Sequence, residues 1–221
     1  MTRHDIPVRY SAELYDHYTA GFIPRYDEYL EAKVVKHHLK RRATPVLLDV
    51  GAGTAQFLLR LAGRPELDGL ALVALDFFGD MAALARRNLT ERVPAGRATV
   101  VQGDAHALPL GGATAGYVVS RSTLHHWHDP AAALAEMHRV LAPGGVAIVH
   151  DIRRDPAPAV LEAFNRRRAE AGVPPCNIDE KHTPGEVREM LRRVGLAGCS
   201  EVSTTDQGPG ALGMEVLVWK Q

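Results

Sequence analysis

The chain has 221 residues, of which 46% are hydrophobic, and Lys plus Arg equals Asp plus Glu at 26 each. This length and composition predict one soluble globular domain, and the balanced charge gives no indication of a nucleic-acid or membrane partner. The chain has only two cysteines, Cys176 and Cys199, and no signal peptide or membrane-spanning apolar run, so we expect a cytoplasmic protein without a disulfide framework. We expect it to be a monomer or a homodimer.

The N-terminal region differs in sequence pattern from the rest of the chain. Residues 10 to 42 have helical periodicity that is interrupted around Gly21 and Pro24, and they are rich in tyrosine. We expect residues 1–44 to form a helical lid on the substrate side and residues 45–221 to form the main domain. In that domain short β-rich runs alternate with helical stretches, and the predicted strands are 46–50, 72–76, 98–104, 116–120, 146–151, 199–204 and 214–220.

Two of the intervening helices have clear start signals. Asp129 precedes Pro130, which predicts an N-cap followed by proline in the first turn. Thr183 and Glu186 are spaced as a capping box, and Gly195 closes that helix. Strands that alternate with helices predict a doubly wound, mostly parallel seven-stranded α/β sheet. The last two strands are joined by the loop-like "DQGPGALG", so we expect the final strand to be antiparallel.

In such a sheet ligands bind at the carboxyl ends of the strands. The first strand runs into "DVGAGTAQF", where Gly51 and Gly53 allow the backbone to turn sharply and to approach a ligand. A dinucleotide fingerprint has a third glycine where this chain has Gln56, which argues against a nicotinamide cofactor. The two glycines are also compatible with a tight turn that holds no ligand.

Acidic residues end the next two strands. Asp76 follows Gly53 by the roughly 20-residue offset at which a carboxylate holds ribose hydroxyls, although it is also placed to cap the next helix. Asp104 is placed to accept a hydrogen bond from an exocyclic amine such as that of adenine, although it is equally compatible with a turn. A glycine turn, a ribose acid and an adenine acid in this order are a more specific signal of a ligand site than any one of them alone.

The segments that carry this order are "LLDVGAGTAQF", "LVALDFFGDMAALAR", "VVQGDAHALPL", "GYVVSRSTLHHWHDP" and "RVLAPGGVAIVHD". Together they resemble the class I S-adenosylmethionine-dependent methyltransferases, in particular the small-molecule "methyltransferase 11" type, closely over residues about 45 to 151. The resemblance implies a Rossmann-like fold, S-adenosylmethionine as the cofactor and methyl transfer to a small-molecule acceptor. S-adenosylmethionine has no phosphates, so a third glycine is dispensable.

The resemblance also implies a set of cofactor contacts. They are Asp49 at the methionine end, Gly51 and Gly53 against the ligand, Asp76 on the ribose, Phe77 and Met81 beside the adenine ring, Asp104 and Ala105 at its edge, and Ser120 beside the transferable methyl group. For Phe77 and Met81, ordinary core packing is the alternative.

The motif "LHHWHDP" provides candidate bases, because the free imidazole titrates near neutrality. His125 and His126 are the catalytic candidates, and structural packing of the loop is the competing interpretation. We predict no metal site, because no carboxylate or cysteine pattern completes one around these histidines.

Substrate selection is expected from parts of the chain outside these motifs. Arg153 and Arg154 follow the fifth strand, and their guanidinium groups suit an anionic group on the acceptor. Tyr15 and Tyr18 are the candidate contacts from the lid. The alternatives are a protein that binds S-adenosylmethionine without methylating and, as the weaker one, a nicotinamide-dependent oxidoreductase.

Overall fold

The computed structural model of the protein describes residues 11–16, 24–40, 43–170, 172–205, 208 and 210–221. A helical turn covers residues 12–16. The helices are α1 (Pro24–Lys40), α2 (Gln56–Ala62), α3 (Gly79–Arg92), α4 (Pro130–Val140), α5 (Pro158–Glu170) and α6 (Pro184–Arg193). The strands are β1 (Val46–Val50), β2 (Ala71–Asp76), β3 (Ala98–Gln102), β4 (Ala115–Arg121), β5 (Leu141–Ile152), β6 (Ser200–Thr204) and β7 (Gly213–Trp219).

The strands form one seven-stranded sheet in the order β3-β2-β1-β4-β5-β7-β6. The pairs among β1 to β5 are parallel, whereas β7 is antiparallel to both β5 and β6. The predicted Rossmann-like sheet with an antiparallel last strand is therefore confirmed. The chain leaves β1 toward β2 on one side and returns to β4 on the other, so a crevice lies outside the carboxyl ends of β1 and β4.

Two strands differ from their predicted bounds by more than one residue. Strand β3 ends at Gln102, because Asp104 turns back to form a bridge with Ala107. Strand β5 starts at Leu141, earlier than predicted, because helix α4 passes directly into the sheet and Leu141 pairs with Ala115 of β4.

Helices cover both faces of the sheet, and each face has its own apolar core. One core unites α4 and α6 with the sheet through side chains such as Leu134, Met137 and Leu191. The other unites α1, α2 and α3 with the opposite face through side chains such as Val34 and Leu58. Strand β4 is buried along its whole length, as expected for a central parallel strand. Within the described residues no helix has both the length and the apolar character needed to cross a membrane.

Candidate active site

The turn after β1 is shaped by two glycines with positive φ. Gly51 has φ 76° and Gly53 has φ 55°, a left-handed conformation that glycine adopts without steric cost. The Gly51 N–H donates to the Leu75 carbonyl oxygen at 2.8 Å, which ties the turn to β2. A Cβ atom at Gly51 would lie only 2.5 Å from Cγ2 of Thr123. The turn therefore needs glycine for both its backbone conformation and its surroundings.

Asp76 at the end of β2 joins two of the loops that border the crevice. One oxygen accepts a hydrogen bond from the Gly53 N–H at 2.8 Å, and the other accepts from the Phe78 N–H at 3.0 Å. An ionised carboxylate has about four lone-pair sites and can accept hydrogen bonds from hydroxyl groups as well as from backbone N–H groups. Asp76 is buried at this position, and its contact with the ribose stays a prediction.

The two residues predicted to flank adenine have different environments. The side chain of Phe77, directly after Asp76, is 57% exposed, and its ring meets that of Phe78 edge to face at 5.4 Å. An exposed aromatic side chain beside Asp76 is available to a planar ligand. Met81 is buried and packs with Ala12 and Leu84.

The loop after β3 lies beside the β2 loop, because the Gly103 N–H donates to the Asp76 carbonyl oxygen at 3.0 Å. Asp104 accepts hydrogen bonds from the backbone N–H of His106 at 2.9 Å and from its Nδ1 at 2.5 Å. Burial by itself would raise the pKa of Asp104, but these hydrogen bonds and the nearby imidazoles lower it overall. Ala105 is buried next to it. The predicted adenine acid is thus an ionised group at the edge of the crevice.

A buried group of charges lies beneath the glycine turn. Asp49 is 2% exposed, and burial raises its pKa to about 7, a shift that the positive charge of Arg121 opposes and the negative charges of Asp76 and Asp27 reinforce. Asp27 of α1 forms an ion pair with Arg121 at 3.3 Å. Three carboxyl groups near one guanidinium favour the binding of a positively charged group at this position.

Ser120 lies near the carboxyl end of β4 and is buried. Its hydroxyl group donates to the Val50 carbonyl oxygen at 2.8 Å and lies 2.5 Å from Oγ1 of Thr123. The residue therefore joins the ends of β1 and β4 and fixes the loop after β4 next to the glycine turn.

That loop carries His125 to the buried Asp151 at the end of β5. His125 donates its backbone N–H to Oδ2 of Asp151 at 3.0 Å, and its Nδ1 lies 2.8 Å from the same oxygen and 3.0 Å from Oδ1. Burial would raise the pKa of Asp151, but the neighbouring charges of His125 and Lys181 and these hydrogen bonds lower it. An ionised Asp151 therefore orients the His125 ring.

His126 differs from its neighbour, although the two rings are 3.9 Å apart. Burial, together with the positive charges of His125 and Lys181, lowers the pKa of His126 to about 4. At neutral pH His126 is uncharged. Of the two candidate bases, only His125 has an aspartate that orients it.

The sequence predictions did not include Asp151 or Lys181 among the site residues. Lys181 is 8% exposed, and burial lowers its pKa, although the negative charges of Asp151 and Cys176 oppose that shift. The Arg154 N–H donates to the His182 carbonyl oxygen at 3.0 Å, which holds this segment beside the end of β5. In the sequence, only the "HD" at the end of the fifth strand pointed to Asp151, and nothing marked Lys181.

The candidate substrate residues have diverse surroundings. Arg153 is 9% exposed and lies 3.9 Å from Asp155, whereas Arg154 forms an ion pair with Glu186 at the start of α6. Tyr15 lies against the glycine turn, and Tyr18 is outside the described residues. Their roles in substrate binding stay predictions. In the described part of the chain, no group of three or more His, Cys, Asp or Glu side chains is placed to hold a metal ion.

Comparison with known proteins agrees with this arrangement. Residues 48–149 match the model of the family described as "Methyltransferase domain". The chain is 41% identical over 102 residues to the uncharacterized protein YafE of Escherichia coli. This match covers 41% of this chain and 45% of that protein. It is 36% identical over 153 residues to the malonyl-[acyl-carrier protein] O-methyltransferase of Geobacter sulfurreducens, covering 68% of this chain and 55% of that protein. The chain thus spans about half the length of these curated relatives.

The fold is also found in solved structures. The crystal structure of a methyltransferase from Aquifex aeolicus that depends on S-adenosylmethionine superposes with a TM-score of 0.69 at 18% identity, covering 95% of this chain and 98% of that one. The family match includes the glycine turn, Asp76, Asp104 and the loop of His125. Residues 48–149 therefore form a methyltransferase domain of the class I, S-adenosylmethionine-dependent type.

Proposed function

We propose that the protein transfers a methyl group from S-adenosylmethionine to a small-molecule acceptor that loses a proton in the reaction. One observation carries this proposal. The ends of β1, β2 and β3 bring a glycine turn and acidic side chains to one edge of the sheet, and the ends of β4 and β5 place an oriented histidine at the same edge.

The described residues fit this cofactor. The Asp76 carboxylate is a group that can accept from ribose hydroxyls, Gly51 and Gly53 let the methionine portion approach the backbone, and Asp49 lies below the same turn. We assign the adenine ring to the space between the β2 and β3 loops, beside Phe77 and Met81 and with Asp104 and Ala105 at its edge. We assign the methyl group to the vicinity of Ser120.

The cofactor supplies an electrophilic methyl group, and the protein must hold the acceptor in line and accept its proton. Asp151 holds Nδ1 of His125, so that Nε2 is left to act as the general base. Such a base is needed for a hydroxyl or an N–H acceptor. We therefore infer an acceptor of this class.

We further propose that the acceptor carries an anionic group. Lys181 is a buried cation beside Asp151, and Arg153 and Arg154 follow in the chain at the end of β5. In this proposal residues 1–44, with Tyr15 and Tyr18, cover the acceptor as a lid over the domain of residues 45–221.

Isothermal titration calorimetry with S-adenosylmethionine, S-adenosylhomocysteine and NAD tests the cofactor. We expect the two adenosyl compounds to bind and NAD to give no heat. Turnover is then measured as S-adenosylhomocysteine formation with hydroxyl acceptors that bear a carboxylate, each paired with its uncharged amide. A lower KM for the carboxylates is expected, and Lys181→Met should remove that preference. Equal KM values in the parent would contradict the anionic acceptor, and binding without turnover would favour a sensor.

The raised pKa of Asp49 predicts opposite effects on stability and binding. Its ionisation is unfavourable in the folded state, so the free energy of unfolding without ligand falls as the pH rises from about 4 to about 7. Asp49→Asn removes this cost and should stabilise the free protein at pH 8 by about 1–4 kcal/mol. The gain should vanish near pH 4. The same variant should bind S-adenosylmethionine roughly 10- to 100-fold more weakly, because a charge-assisted contact is lost.

Thermal unfolding at pH 4.5 and 8, together with calorimetry, measures both effects. Glu162→Gln is the control, because Glu162 is an exposed acid whose side chain pairs with Arg166 on the surface of α5. A destabilised Asp49→Asn protein with normal affinity would contradict both expectations.

A further inference from the structure

Gln56 stands where a dinucleotide-binding turn would have its third glycine, and the structure gives this side chain a specific partner. Its Nε2 donates to Oδ1 of Asp16 at 2.6 Å. The same oxygen accepts from Nδ2 of Asn88 at 3.0 Å, and this Nδ2 also lies 3.0 Å from the Thr54 carbonyl oxygen. Asp16 is thus joined at once to the start of α2 and to the buried face of α3.

These contacts determine where residues 11–16 lie. An isolated helical turn has no stability of its own, so its position depends on what it contacts. Ala12 is buried against Met81 and Leu84 of α3, whereas Leu14 on the other side of the turn is 52% exposed. The polar contacts of Asp16 and the apolar contact of Ala12 together fasten the turn across α2 and α3.

The fastened turn presents Tyr15 to the cofactor site. A Cβ atom at Gly53 would lie 2.9 Å from Cε1 of Tyr15, so the ring rests directly on the glycine turn. Burial raises the pKa of Tyr15, with Arg121 opposing the shift and the negative charge of Asp76 adding to it. The tyrosine is therefore a neutral side chain among the charges of the cofactor site.

We propose that Asp16, Gln56 and Asn88, together the Asp16 latch, are positioning residues that hold Tyr15 as a wall of the cofactor pocket. This proposal rests on the assignment of the S-adenosylmethionine site. Gln56 acts through Asp16 and Tyr15, so its loss should weaken cofactor binding although the chain beyond residue 43 keeps its fold. Gln56 thus supplies a contact that a glycine at this position could not supply.

The test is a double-mutant cycle on Gln56 and Asp16, read out as the Kd of S-adenosylmethionine in calorimetry. Because each single variant removes the same charge-assisted hydrogen bond, Gln56→Ala and Asp16→Ala should each raise the Kd roughly 5- to 30-fold. The double variant should be no weaker than the weaker single variant. Asp16→Asn keeps the accepting oxygen and should restore most of the affinity. Effects that multiply in the double variant would overturn the latch.

Hydrogen exchange provides a readout that separates positioning from folding. The Tyr15 N–H, which donates to the Ser11 carbonyl oxygen at 2.9 Å, should exchange faster in Gln56→Ala, while amides of β1 and β4 keep their parental rates. Glu66→Ala is the matched control, since it removes a side-chain contact with Arg64 on the surface just beyond α2.

The outcomes distinguish the latch from the cofactor assignment. A parent that does not bind S-adenosylmethionine overturns both. A parent that binds, together with Gln56→Ala and Asp16→Ala variants that keep the parental Kd, overturns the latch alone. If Gln56→Ala does not fold, as judged by circular dichroism, Asp16→Ala and Asp16→Asn decide the question by themselves.

Discussion

Asp76→Ala should bind S-adenosylmethionine at least about 100-fold more weakly than the parent, because two or more hydrogen bonds to a charged group are lost, each contributing about 1.5–3 kcal/mol. The loss has two sources. The carboxylate is the proposed partner of the ribose hydroxyls, and it also accepts from the N–H groups of Gly53 and Phe78. Removing it releases both loops that border the adenosyl group.

Asp76→Asn separates the contribution of the ribose contact from that of the backbone contacts that hold the loops. Its amide oxygen still accepts from one backbone N–H, so that much of the loop geometry is preserved while one acceptor for the ribose is lost. We expect its Kd to fall between those of the parent and Asp76→Ala. Asp80→Asn is the matched control, because Asp80 is an acid in the first turn of α3 and accepts from the Met81 N–H at 3.0 Å. Calorimetry that gives Asp76→Ala the parental Kd would contradict the cofactor site.

His125→Ala should lower kcat by roughly 10²- to 10⁴-fold, the usual contribution of a general base. The Kd of S-adenosylmethionine should change little, because the proposed contacts of His125 are with Asp151 and the acceptor. Asp151→Asn should also lower kcat, since an asparagine that donates to Nδ1 would leave the proton on Nε2 and block the base. Stopped-time assays of S-adenosylhomocysteine formation with the best hydroxyl acceptor measure these effects.

His126→Ala is the control that identifies the base. The two rings are 3.9 Å apart, but the pKa of His126 lies at about 4 because of its burial, and Asp151 orients His125 instead. We expect less than about a tenfold change in kcat for His126→Ala, well below the effect of losing the base. A larger effect for His126→Ala than for His125→Ala would reverse the assignment. Parental turnover in both variants would show that the reaction needs no base from this loop.

Local features of the fold were predictable from the sequence. Thr183 and Glu186 form the expected capping box, and Asp129 accepts from the Ala132 N–H at 3.2 Å as the expected N-cap. Each of these contacts spans three residues, so the spacing of residue types is enough to predict it. The antiparallel last strand was predictable for a related reason, because the short loop before it leaves no room for a crossover.

The contacts that complete the site join distant parts of the chain. His125 meets Asp151 because β4 and β5 are parallel neighbours and their carboxyl ends meet at one edge. Arg154 pairs with Glu186 at the start of α6, a contact between distant residues, and its predicted role in substrate binding stays a prediction. The partner of Gln56 lies in the N-terminal turn, forty residues earlier in the chain, where the sequence has no pattern that indicates it.

The sequence by itself determined the order of strands and helices and the residue types at the first three strand ends, because periodicity, caps and glycine turns depend on near neighbours. Only the tertiary structure decided that Asp151 orients His125, that Lys181 is buried beside them, and that Asp16 fastens Tyr15 to the glycine turn. Such pairings depend on sheet order and on the direction in which each side chain leaves its element. Because the chain contains many residues of the same type and charge, the sequence does not indicate which of them meet.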